Sequence, residues 1–105
     1  MQSNRHEGLQ EALRKAAAEF LVREATPQSL ITVTATSLSN DHKRAVIYLT
    51  VLPDSAEPQA IAFANRHRRD FAQFFSKSVR GANIPHVEFV LDRGEKMRQR
   101  LDELS

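Results

Sequence analysis

The stretch LITVTATSLSNDHKRAVIYLTVL, residues 30–52, decides the fold. Its first nine residues, Leu30 to Leu38, are rich in β-branched side chains, which suit an extended, pleated backbone, and they read as a strand. Ser39-Asn40-Asp41-His42-Lys43 reads as a turn, because short Asn and Asp side chains bond to their own backbone. From Ala45 to Leu52 a second strand follows, with Ala45, Ile47, Leu49 and Val51 on one side and Val46, Tyr48 and Thr50 on the other. A connection this short joins antiparallel neighbours, so the stretch is a β-hairpin with one clearly apolar face. That face needs a cover.

Helical patterns on both sides supply it. Upstream, over roughly residues 4–25, Leu9, Leu13, Ala16, Ala17, Phe20 and Leu21 recur at helical spacing and form one apolar stripe. Arg14, Lys15, Glu19 and Arg23 fall mostly outside it, and Pro27 ends the helix by pushing its predecessor out of the α region. Downstream, a helical pattern starts near Ser55 to Pro58, with Ser55 as the expected N-cap and Pro58 in the first turn, and runs to about Arg80, with Gly81 as the stop. Pro85 precedes a third strand, His86 to Leu91, in which Val87, Phe89 and Leu91 alternate with His86, Glu88 and Val90. The charged tail from Gly94 to Leu104 carries Met97, Leu101 and Leu104 at helical spacing and is expected to form a short terminal helix.

The long helical stretch has two faces. Taking about 100° per residue from Arg66, the positions Arg69, Gln73, Lys77 and Arg80 share a sector of about 80°. Ala64, Phe71, Phe75 and Val79 lie opposite, with Phe74 at the edge. No carboxylate lies inside the cationic sector, and Asp70 sits just outside it. His67 and Arg68, however, fall on the apolar side of a straight helix, and burying an unpaired guanidinium costs several kcal/mol. The pattern therefore predicts a kink between residues 67 and 70. It would gather Asn65-Arg66-His67-Arg68-Arg69 at the joint of two helices and offer free backbone N–H groups to a phosphate.

With 105 residues, 41 % hydrophobic and 27 % charged, the chain is expected to be a single globular domain over 1–105. Eleven of its 15 cations are arginine, whose planar fork suits phosphate, so the position of the charge matters more than the net +2. No stretch approaches the roughly 20 apolar residues of a membrane span. The polar start Met1 to Glu7 shows no signal region, which points to the cytoplasm, and without cysteine there are no disulfides or thiolate metal sites. The four histidines show no paired ligand spacing, so neither a metal nor another cofactor is expected. Ser39, Asp41 and His42 crowd onto one turn, unlike a catalytic relay assembled from distant segments. On a strand Glu88 and Asp92 lie about 13 Å apart, too far for a glycosidase pair. With three glycines and no Gly-rich phosphate loop, an enzyme is not expected, and no catalytic residue is assigned.

The chain resembles the ribosome-binding factor A family over nearly its whole length. The resemblance is carried by Pro27 with Leu30, Thr32-Val33-Thr34, Ser39-Asn40-Asp41, Ala45 through Leu52, and Pro85-His86-Val87-Glu88-Phe89-Val90-Leu91-Asp92. The order and spacing of these pieces are more specific than any one of them. The resemblance implies an α+β, type II KH-like domain of order α-β-β-α-α-β, with a three-stranded mixed sheet backed by helices. Like the family, the chain lacks the Gly-x-x-Gly loop of ordinary KH domains. It departs where the family carries an Ala-x-Gly kink, here His67-Arg68-Arg69, and it has Thr26-Pro27 for Asp-Pro and His42 for a usual leucine. The resemblance further implies a monomeric assembly factor that binds the immature small ribosomal subunit, assists late 16S rRNA maturation, supports growth in the cold and leaves with the help of an assembly GTPase. The RNA-binding candidates read from the charges are Arg66, Arg68, Arg69, Lys77 and Arg80, with Lys43 and Arg44 as a second contact point. The competing reading is a protein-interaction adaptor of the same fold that makes no direct RNA contact.

Overall fold

The computed structural model describes residues 2–24, 29–79 and 85–94. Its elements run α1 (Gln2–Glu24), β1 (Leu30–Leu38), β2 (Arg44–Leu52), a 3-10 turn (Asp54–Ala56), α2 (Glu57–Arg66), α3 (Arg68–Ser78) and β3 (His86–Leu91). The sheet order is β1-β2-β3. β1 pairs antiparallel with β2, and β2 pairs parallel with β3, which makes the mixed α+β architecture that the resemblance implies. The ends of the first and third strands fall where the sequence sets them, and β2 begins one residue earlier, at Arg44. The expected helix end at Pro27, the stop at Gly81 and the terminal helix beyond Gly94 lie outside the described residues.

One face of the sheet carries the core. Ala45, Ile47, Leu49 and Val51 of β2 and Val87 and Phe89 of β3 are buried against the helices. α1 lays Leu13, Ala16, Ala17, Phe20 and Leu21 on them, the stripe read from its spacing. Phe71 of α3 is fully buried at the centre, with its ring edge-on to Phe20 (centroids 5.6 Å apart) and to Phe89 (5.7 Å). Three elements thus meet on one side chain, whose burial contributes about 1.5–3 kcal/mol.

β1 holds a feature the alternation did not reveal. The register steps from Val33↔Leu49 to Ala35↔Tyr48, leaving Thr34 as the extra residue of a β-bulge. The bulge switches the inward positions from Ile31 and Val33 to Thr36 and Leu38, the partners of Ile47 and Ala45. The Thr34 hydroxyl donates to Asp92 Oδ2 at 2.6 Å, which ties the bulge to the end of β3 across β2.

The start of α2 also differs from expectation. Ser55 does not cap the helix. It lies in the 3-10 turn, where Ala56 N–H donates to the Pro53 carbonyl, and the N-cap is Ala56 with no side-chain bond. Pro58 does occupy the first helical turn, where a missing N–H costs nothing.

Candidate nucleic-acid interface

The helical stretch breaks at His67, as the misplaced Arg68 requires. His67 leaves helical geometry (φ −100°, ψ 15°), closing α2 and opening α3. Its N–H is shared between the Phe63 and Ala64 carbonyls, both at 3.2 Å, while its own carbonyl accepts the first bond of α3, from Phe71 N–H at 3.0 Å. The break makes Arg68 the first residue of α3, so it stays exposed at the helix end while Phe71 and Phe75, further along, turn inward, and no guanidinium is buried among the described residues.

Two further contacts fix the joint. His67 Nδ1 lies 3.0 Å from Asp70 Oδ2, and the imidazole packs against the Phe63 ring with centroids 4.5 Å apart. Asp70 sits in the first turn of α3, where a carboxylate complements the helix dipole. On the α2 side, Asn65 Nδ2 donates to the Phe89 carbonyl at 3.0 Å, and Asn65 Oδ1 accepts the Phe89 N–H at 3.0 Å.

The candidate residues fall into two groups. Arg66 ends α2, and Arg68 and Arg69 open α3, so three guanidinium groups flank one break. Arg69, Gln73 and Lys77 are spaced four apart on α3, all exposed, and continue the stripe for about 12 Å along that helix. Arg80 lies outside the described residues. None of Arg66, Arg68, Arg69 or Lys77 forms an ion pair with a carboxylate among the described residues, since Asp70 is engaged by His67. Arg14 on α1 shows the alternative. Glu11 pairs with it one turn away, and their hydrogen bonds hold the Glu11 carboxyl below, and the Arg14 guanidinium above, their usual ranges.

Lys43 and Arg44 are exposed too, but the structure does not bring them to the joint. Arg44 is out of step with buried Ala45, so it lies on the sheet face away from the helices, paired in register with His86. Lys43 contributes its carbonyl to His86 N–H at 2.8 Å. The cleft that Lys43, Arg44 and His86 line also contains Glu88, so its charge is mixed. Next to it, His42 reaches α1, with its Nε2 3.1 Å from His6 Nδ1. That contact and the Asn65 bonds join segments 36 and 24 residues apart, and no local sequence signal announces either.

Among the described residues no helix is long and apolar enough to cross a membrane, and no three His, Asp or Glu side chains converge as a metal site.

Known proteins agree with this architecture. The ribosome-binding factor A of Fervidobacterium nodosum is 26% identical over 102 residues, covering 91% of this chain and 82% of that protein. The crystal structure of ribosome-binding factor A from Thermus thermophilus superposes with a TM-score of 0.74 at 27% identity, covering 84% of this chain and 97% of that one. Coordinates of the Thermus thermophilus factor fitted into a cryo-EM map of a 30S complex give a TM-score of 0.72 at 28% identity, covering 82% and 93%. The sequence profile of ribosome-binding factor A, a family of non-enzymatic factors, matches residues 5–105, and with the fold in agreement the chain belongs to the ribosome-binding factor A family.

Proposed function

We propose that this chain is a monomeric cytoplasmic factor that docks on the immature small ribosomal subunit and grips 16S rRNA through phosphate and shape, assisting late maturation of that RNA. In this reading it supports growth in the cold and is released by an assembly GTPase. The observation that carries the RNA contact is the set of arginines Arg66, Arg68 and Arg69 around a break where Asp70 is already engaged by His67 and no ion pair with the arginines forms among the described residues. Guanidinium groups placed this way answer phosphates in a fixed arrangement without reading bases. Folded RNA is recognised largely by shape, phosphate and 2′-OH contacts, which such a surface can meet.

The adaptor reading draws on a different feature. Leu30 and Leu52 are cross-strand partners on the outer sheet face and remain 61% and 58% exposed, an apolar pair suited to a protein neighbour. Co-sedimentation separates the two. The rRNA reading predicts that the chain travels with precursor small subunits, leaves them in high salt and crosslinks to 16S rRNA through the segment 65–77. An adaptor would stay with its protein partner after nuclease digestion and give no such crosslink.

A further inference from the structure

Asn65 precedes the break by two residues, and its carboxamide makes both of its bonds to the backbone of Phe89. In β3 the N–H groups of His86 and Asp92 point to β2, where they meet the carbonyls of Lys43 and Leu49. Residues alternate along a strand, so the backbone groups of Phe89 point off the outer edge of the sheet. A carboxamide carries the donor and acceptor of a peptide unit, and Asn65 therefore stands at mid-edge where one residue of a fourth strand would stand.

The two halves of the joint are anchored differently. α3 is held by the buried rings of Phe71 and Phe75. α2 buries only Ala60 and Ala64 and packs Ile61, partly buried, against the core, a smaller apolar area than the two rings. The Asn65 bonds supply a directional hold that apolar contacts lack, one residue from Arg66.

We infer that Asn65 is the positioning residue of the cationic joint, holding α2 to the edge of β3 so that Arg66 meets an RNA phosphate in the same frame as Arg68 and Arg69. The inference rests on the rRNA-docking reading. A surface arranged before binding loses less ordering entropy when it binds, so releasing the anchor weakens affinity without removing any cation.

The test compares Asn65→Ala with the charge reversal Arg66→Glu, each in the full chain, on purified precursor small subunits across a salt series. Asn65→Ala should accelerate hydrogen exchange at the Phe89 amide and weaken binding about three- to tenfold, two lost bonds of modest net strength. Its dependence on salt should keep the wild-type slope, because the same phosphates are neutralised once bound. Arg66→Glu should lower the slope. If Asn65→Ala is too unstable to assay, Asn65→Ser, whose hydroxyl can serve one bond, carries the same prediction at smaller amplitude. Fast exchange at Phe89 with wild-type affinity would make Asn65 a purely structural residue and overturn the inference while leaving the docking reading intact. Weakened binding with wild-type exchange at Phe89 would overturn it in favour of direct RNA contact. Wild-type binding that ignores salt would overturn the docking reading and the inference together.

Discussion

The joint at His67 and the hairpin turn at His42 are both short, polar and flanked by cations, yet they are built in opposite ways. The turn is closed mostly by its own bonds, with His42 and the Lys43 carbonyl reaching outward to His6 of α1 and His86 of β3. Asp41 Oδ1 accepts the Ser39 hydroxyl at 2.6 Å and the Lys43 N–H at 3.0 Å, and Ser39 also bonds the backbone of Arg44 and His42. These bonds let His42 adopt a positive φ of 61°, a region non-glycine residues enter rarely. The joint is tied outward instead, to β3 through Asn65 and to the core through Phe71. Local closure leaves the turn little to offer a partner beyond Lys43 and Arg44, which lie apart from the main stripe. Anchoring from below leaves the upper side of the joint free, and its arginines unanswered by acids among the described residues.

The largest break in this comparison should come from the core beneath the joint. Phe71→Ala is expected to cost about 3–5 kcal/mol, because it removes the ring shared by α1, α3 and β3. Denaturant unfolding measures this, and a loss under about 1 kcal/mol, the size of a typical point-mutant effect, would mean that the joint does not rest on that ring. Next comes charge. Arg66→Glu with Arg69→Glu should reduce affinity for precursor subunits on the order of a hundredfold while leaving the unfolding midpoint nearly unchanged. Lys43→Glu with Arg44→Glu should weaken binding less, by about tenfold at most, since those residues lie on another face. An equal or larger effect there would shift the interface toward the sheet.

The smallest effect concerns pH at the turn. The Ser39 hydroxyl, and then the Lys43 N–H, hold the Asp41 carboxyl below its usual range. A carboxyl lowered in the folded state contributes stability above its unfolded value and loses it as pH falls through the folded value. The protection of amides within residues 39–44, taken relative to their intrinsic exchange rate at each pH, should therefore fall on acidification in the wild type but not in Asp41→Asn, with little change at the joint. The same acid response in both proteins would remove Asp41 as the cause.

Much of this fold was legible because it depends on local pattern. The hairpin followed from β-branched runs around Ser39-Asn40-Asp41, and the kink from a guanidinium that a straight helix would bury. The bulge was not legible. Thr32, Thr34 and Thr36 suit either phase of a strand, so nothing in the run marks the extra residue. Ser55 misled because a good capping side chain stood two residues before the helix, inside a turn that closes through Pro53 instead. Within the candidate site, the stripe on α3 could be read from spacing. Strand parity could have separated Arg44 from it, since Ala45 and Ile47 already defined the inward face. The Asn65–Phe89 bonds were beyond reach, because nothing near residue 65 says which backbone lies opposite.

The most direct test sets the two regions against each other in one salt titration on precursor small subunits. If about four or five phosphates are neutralised, log affinity for the wild type should fall against log salt with a slope of roughly −3 to −4.5. Arg66→Glu with Arg69→Glu should flatten that slope by about one unit or more, and Lys43→Glu with Arg44→Glu should change it less. Identical slopes for the wild type and the joint variant would contradict the claim that these arginines hold the RNA.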